Sequence, residues 1–340
     1  MCDIETYNTK TNMLSWSYPI ITTYTQHAHL LAILGNYKHT YSWIYSNYIN
    51  IFSNKDLSVN TWADFYFPMP YELRPSDNCK FLITQKFKRD FLKDKFSSIM
   101  EFIMYAINSG CYVHLMLDYF HITGSHDFEK VHRIHDALIY GYDLTRDVIK
   151  ACDFMVTGRY DKITIPISKI DLAFNDYELA WNHDFLNGIV YLYSVNLNCD
   201  YEFNIDNIFS SIKLYLNSCM LEYWNVYNRE NRKDIVCGKD IYEALRCYVI
   251  NAKKIDIRPF YLLYDHKKIM MSRFDYLAEM NLTNTEYLKS FCDIKNESQN
   301  IVNHIIKYGF DAKKKSLEEI VENLKVIESK EYEILLRIIR

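Results

Sequence analysis

The chain has 340 residues, 49% of them hydrophobic and 24% charged. This is enough to bury one large core or two ordinary ones, and the composition excludes a disordered chain. A formal net charge of -4, with no basic run longer than Lys313-Lys314-Lys315, points away from nucleic acid as a partner.

Met1 to Glu5 show no apolar signal region and no stretch approaches twenty apolar residues, so neither a secretory leader nor a membrane span is expected. Nine cysteines are scattered without a CxxC or a Cys/His ligand cadence. They read as reduced residues of a cytoplasmic protein, with no disulfide framework and no zinc site. Residues 27–34 (HAHLLAIL) and 40–53 (TYSWIYSNYINIFS) carry helical apolar spacing on either side of Gly35-Asn36. Prolines 68, 70 and 75 make 64–75 an extended edge segment or loop. A longer helix is expected over 90–108, with Phe91, Phe96, Ile99, Met100, Ile103, Met104 and Ile107 recurring at three and four, closed by Gly110.

From Gly110 onward the period changes. Residues 112–119, 137–140, 148–154 and 163–167 read as short strands, followed by a short helix near 169–174 and another strand within 188–203. The polar segment 142–147 is tight enough to join two of these strands as a hairpin. If the hairpin is centred on Leu144, His135 lies opposite Asp153 on one face of the sheet. From about residue 206 the chain reads as successive helices over 205–216, 239–250, 259–280, 286–308 and 317–339. Capping boxes are expected at Thr283 with Glu286 and at Ser316 with Glu319. The fold class is therefore α+β: a helix-plus-antiparallel-sheet domain over 1–204 followed by a helical domain over 205–340.

An imidazole beside a carboxylate is what a general base and its orienting partner need, since the carboxylate fixes the ring tautomer and stabilises the imidazolium. His135 and Asp153 fit those roles, and a structural hydrogen bond across the hairpin is the alternative. The loop before the second strand also holds His121, His126 and His132, which with His135 and Asp136 make a density that suits a metal ion. His132 and His135 are three apart in a strand-like stretch and so point to opposite faces, which argues against a metal site. No cofactor is implied. Arg258 and Lys267, near the start of the helix over 259–280, are either groups that pair with a phosphopantetheine or with carrier-protein carboxylates, or the solvated basic face of a capped helix. Tyr140, Tyr142 and Tyr261 are candidate linings of an aromatic ligand cleft.

The strings HDALIYGYD (135–143), GRYDKITIPISKIDLAF (158–174) and DIRPFYLLYDHKKIMMSRFDYL (256–277) resemble the butirosin biosynthesis protein H group of papain-like, leader-peptidase-like proteins found with peptide natural-product synthetases. The resemblance implies a papain-like module. It also implies acyl transfer from a carrier-protein thioester to a small-molecule amine, with His135 as base and Asp153 as its orienter. Members carry a nucleophilic cysteine at the start of the first long helix. Here that position falls on Thr25, with no cysteine near it. Two readings remain open: an acyl- or aminoacyl-transfer protein using His135, Asp153 and Thr25, or a non-catalytic accessory module that binds an acyl or peptidyl carrier protein, a peptide or a partner.

Overall fold

The structure is a computed structural model that describes residues 9–66, 75–176, 188–220, 234–310 and 314–339. The chain forms two compact units, one of residues 1–38 with 75–200 and the other of residues 39–74 with 201–340.

The first unit is built on a seven-stranded antiparallel sheet. Its strands are β1 (Thr11–Met13), β2 (Leu82–Lys88), β3 (Tyr112–Asp118), β4 (Ile134–Asp143), β5 (Val148–Asp153), β6 (Asp161–Pro166) and β7 (Ile189–Val195). They run in the order β2-β7-β3-β4-β5-β6, and β1 pairs with the last residues of β4. Among the described residues its α-helices are α1 (Thr25–Leu34), α2 (Arg89–Lys95), α3 (Ile99–Asn108) and α4 (Ile167–Asn175).

Strand periodicity divides the sheet into two faces. Val113, Leu115, Leu117, Ala137, Ile139, Ala151, Ile163 and Ile165 share a core with Phe102, Ile103, Ile170 and Phe174 of α3 and α4. The alternate residues, His114, Asp136 and Cys152 among them, point the other way, toward α1. Residues 27–34 of α1 are all buried, as expected of a helix enclosed on every side. A bulge between Ile139 and Gly141 shifts the β4–β5 register and reverses the alternation, so that Tyr142 joins the core. Gly141 is needed there for close approach, because a Cβ would stand 2.7 Å from the Asn12 carbonyl oxygen of β1.

The helix expected over 90–108 is two helices, α2 and α3. Ser98 caps α3 by accepting from the Glu101 N–H at 3.1 Å, and the Glu101 carboxylate accepts from the Ser97 N–H at 2.8 Å. The Ser98-x-x-Glu101 spacing is itself a helix-start signal, which the apolar periodicity running through it masks. Gly110, at φ 76, closes α3 in the left-handed region.

The second unit carries a three-stranded sheet in the order Ile235–Cys237, Asn50–Asn54, Ala63–Tyr66. Its longer helices are α5 (Ile205–Leu216), α6 (Ile241–Asn251), α7 (Arg258–Glu279), α8 (Glu286–Phe310) and α9 (Lys314–Ile338), with α7 packing on α8 and α8 on α9. The helix expected over 40–53 ends early. Only Tyr41–Ser46 is helical, Tyr48 turns the chain at φ 57, and Asn50–Asn54 becomes the central strand. Ile49, Ile51 and Phe52 are buried by this arrangement. At about 1.5–3 kcal/mol each, that burial outweighs a helix preference of some tenths of a kcal/mol per residue.

The cap of α8 also differs from expectation: the Glu286 N–H is taken by Asn284 Oδ1 at 2.9 Å, and Thr283 Oγ1 is buried without a partner among the described residues. The Ser316 side chain lies outside the described residues. No described helix is long and apolar enough to cross a membrane.

Candidate functional site

Thr25 is the first residue of α1, preceded by Tyr24 in extended conformation. Its hydroxyl donates to Asp136 Oδ2 at 2.9 Å. The same carboxylate oxygen lies 3.0 Å from His114 Nε2. His114 Nδ1 is 2.9 Å from the Tyr193 hydroxyl, and His29 Nδ1 is 2.8 Å from the Tyr160 hydroxyl. Tyr160 in turn meets Cys152 Sγ at 3.1 Å, and Cys152 accepts from the Trp16 indole. The His29 and His114 rings meet edge to face with centroids 4.9 Å apart.

Local periodicity assembles the array. His29 follows Thr25 by four residues and shares its side of α1. In the β3–β4 ladder Asp136 sits opposite Met116 and His114 opposite Leu138, so the two form a diagonal pair on the face toward α1. His114 also lies directly opposite Tyr191 of β7 and stacks on its ring, with Tyr193 the diagonal neighbour. His29, His114, Asp136 and Tyr160 are all buried.

Electrostatics follow from this enclosure. Burial works to raise the Asp136 carboxyl, but the hydrogen bond and charge of His114, with smaller contributions from His135 and His29, hold it well below the ordinary range. It is therefore an ionised hydrogen-bond acceptor and a weak base. Burial pushes the Cys152 thiol up to about 12, which leaves the cysteine of this array unreactive.

His135 and Asp153 are not brought together. The turn after β4 rests on Asp143, whose Oδ1 accepts from the Thr145 and Arg146 N–H groups, and it ends on Asp147 at φ 55. Asp143 therefore pairs with Val148, which centres the hairpin between Thr145 and Arg146 rather than on Leu144, and the bulge shifts the register back by one residue, too little to set His135 opposite Asp153. The ladder reaches Leu138 opposite Cys152, while His135 lies opposite Leu117 of β3 and Asp153 opposite Asp161 of β6. His135 is part-exposed, with Nδ1 3.2 Å from the Asp136 carbonyl oxygen and 3.5 Å from Asp136 Oδ1. Asp153 is fully buried; its Oδ1 accepts from the Met155 N–H at 3.0 Å, and its Oδ2 has no partner among the described residues. Burial raises its carboxyl to about 7.

The residues that sequence reasoning passed over are His29 and His114, while Asp136 entered it only as a member of the histidine-rich cluster over 121–136. The available signal was a polar side chain alternating with Val113, Leu115 and Leu117 on one strand and with Ala137 and Ile139 on the next. Such alternation ordinarily marks a solvated face, whereas here the second face is covered by α1. Tyr142 is core, its hydroxyl donating to Asn108 Oδ1 at 2.9 Å, and does not line a cleft. Lys267 is fully buried against Glu331, out of reach of a phosphate at the surface, and Arg258 is paired with Asp256. Of the loop histidines, His132 Nδ1 lies 2.5 Å from Asp118 Oδ2 and His121 Nε2 lies 2.7 Å from Asp176 Oδ2. In comparisons with known proteins, no family model and no curated protein matches the chain.

Proposed function

We propose that the chain is an accessory protein of peptide natural-product biosynthesis. In this reading a papain-like module of the butirosin biosynthesis protein H type, followed by a helical domain, engages an acyl or peptidyl carrier protein without forming a covalent acyl intermediate. The observation that supports it is the partner of Thr25. A threonine hydroxyl becomes a nucleophile when a base takes its proton, but this hydroxyl donates to a carboxylate held ionised, and among the described residues no imidazole hydrogen-bonds to it. The site keeps a polar constellation at the head of α1 while lacking the thiol that makes acyl capture fast.

A second reading, direct transfer to an amine, draws on His135. Its part-exposed ring stands beside Asp136, where it can take a proton from an amine that attacks a carrier-bound thioester itself and return it to the carrier thiolate that leaves as the C–S bond breaks. The deciding experiment mixes the full chain with acylated and unacylated carrier protein and with small amines. The accessory reading expects carrier binding, no mass increase on the chain and no amide product. An acyl adduct mapped to Thr25, or an amide product lost in His135→Ala, overturns it in favour of transfer. Absence of both binding and transfer sinks the natural-product assignment altogether.

A further inference from the structure

We propose that His29, His114 and Asp136 form a binding site for one divalent transition-metal ion of the zinc or ferrous class. The proposal is independent of whether the chain handles acyl groups. One donor atom from each residue lies within 4.8 Å of the others. Ligands held about 2.0–2.2 Å from a common ion stand roughly 3–4 Å apart, so movements of under about 1 Å close the set. All three residues are nine-tenths or more buried. They come from one helix and two adjacent strands, so the framework that presents them is rigid.

The surroundings are those of a built site. A metal-bound imidazole keeps its orientation by donating its other ring N–H to an oxygen, and here each Nδ1 faces a tyrosine hydroxyl, Tyr160 for His29 and Tyr193 for His114. Thr25 donates to the carboxylate ligand from the head of the helix that carries His29. An ion between His114 Nε2 and Asp136 Oδ2 takes the place of the hydrogen that bridges them at 3.0 Å. The ring then carries its single proton on Nδ1 and donates it to Tyr193. Two imidazoles and one carboxylate suit zinc or ferrous iron better than magnesium or calcium, which prefer all-oxygen sets. Three protein ligands leave a further position for water or for the Thr25 hydroxyl.

A second group, Asp118, His121 and His132, also has donor atoms within 4.8 Å of one another. His121 is already paired with Asp176, and Asp118 Oδ1 accepts from the Phe120 and Arg133 N–H groups, so this group serves as an internal control.

The test uses the full chain, stripped with a chelator and titrated with Zn²⁺ by calorimetry and with Co²⁺ by visible spectroscopy. One ion per chain at micromolar affinity or better is expected. His114→Gln and Asp136→Asn each weaken binding at least tenfold, Tyr193→Phe weakens it roughly 10- to 100-fold, and the His121→Ala, His132→Ala double variant leaves it unchanged. Pulsed EPR of the wild-type chain loaded with Cu²⁺ reads the ligands without relying on variants that fail to fold, and two coordinated imidazoles are expected. No uptake by the wild type, uptake lost only in the control double variant, or a copper spectrum without imidazole coupling overturns the assignment.

Discussion

Thr25 and Asp136 are 111 positions apart in the chain and joined by a hydrogen bond of 2.9 Å, from the head of α1 to the face of β4 that α1 covers. The neighbour of Asp136, His135, carries the more conspicuous chemistry in the sequence. Successive side chains of a strand turn to opposite faces, and Asp136 is the one turned to the helix. His135 instead sits edge-on to Tyr119, with ring centroids 6.1 Å apart.

Replacing Thr25 tests that bond. Thr25→Val keeps the shape and removes a donor from a buried carboxylate, so it is expected to cost about 1–3 kcal/mol, whereas Thr25→Ser, which keeps the hydroxyl, costs under about 1 kcal/mol. Urea unfolding of both variants gives the comparison. Equal losses would show that the methyl group, not the hydrogen bond, matters there.

Asp153 makes stability depend on pH. Its folded carboxyl is raised from 3.8 to about 7, so the native state binds the proton more tightly than the unfolded chain does. Its contribution is fully present below about pH 4 and is lost as the pH rises through 7. At about 1.4 kcal/mol per unit, the loss is on the order of 4 kcal/mol. Asp153→Asn removes this dependence and is expected to be more stable than the wild type at pH 8 but not at pH 4. A pH series of unfolding curves that runs parallel for the two proteins would refute the claim.

Within the second unit, Lys267 Nζ lies 2.6 Å and 2.7 Å from the two oxygens of Glu331, which also accepts from the Tyr215 and Tyr242 hydroxyls. Lys267 and Glu331 are 0% and 1% exposed. Glu331→Gln leaves a buried ammonium uncompensated and is expected to destabilise by about 3–5 kcal/mol, while the double change Lys267→Met, Glu331→Leu costs less than that single change. Chemical denaturation of the two variants gives the order, and a reversed order would mean that the pair is not held dry.

Thiol reactivity should follow enclosure. Cys219 and Cys247 are exposed, whereas Cys79, Cys152 and Cys237 are buried. Brief alkylation of the native chain, mapped by mass spectrometry, is expected to label Cys219 and to leave Cys152 untouched until denaturant is added. Early labelling of Cys152 would reopen a thiol mechanism at the Thr25 site.

Much of the fold was written locally. The alternation through 112–119 and 148–154 predicts β3 and β5, the three- and four-residue spacing from 205 onward predicts the helices of the second unit, and Gly110 marks the end of α3. The replacement of the resemblance's cysteine by Thr25 is likewise visible in the chain alone. Each is a property of neighbours a few residues apart, and one segment carries all the information needed. Register and burial are not of this kind. The bulge before Gly141 and the turn resting on Asp143 decide which residue lies opposite Cys152, and a hairpin centre read from composition misses both. That 50–54 is a strand depends on partners at 63–66 and 235–237, which bury residues a local helix would leave in water. Whether His114 and Asp136 face solvent or a helix depends on α1, more than eighty residues earlier, covering that side of the sheet. The tertiary structure decides these points because the free energy of enclosing a polar group or an apolar face is set by what closes over it, and that comes from elsewhere in the chain.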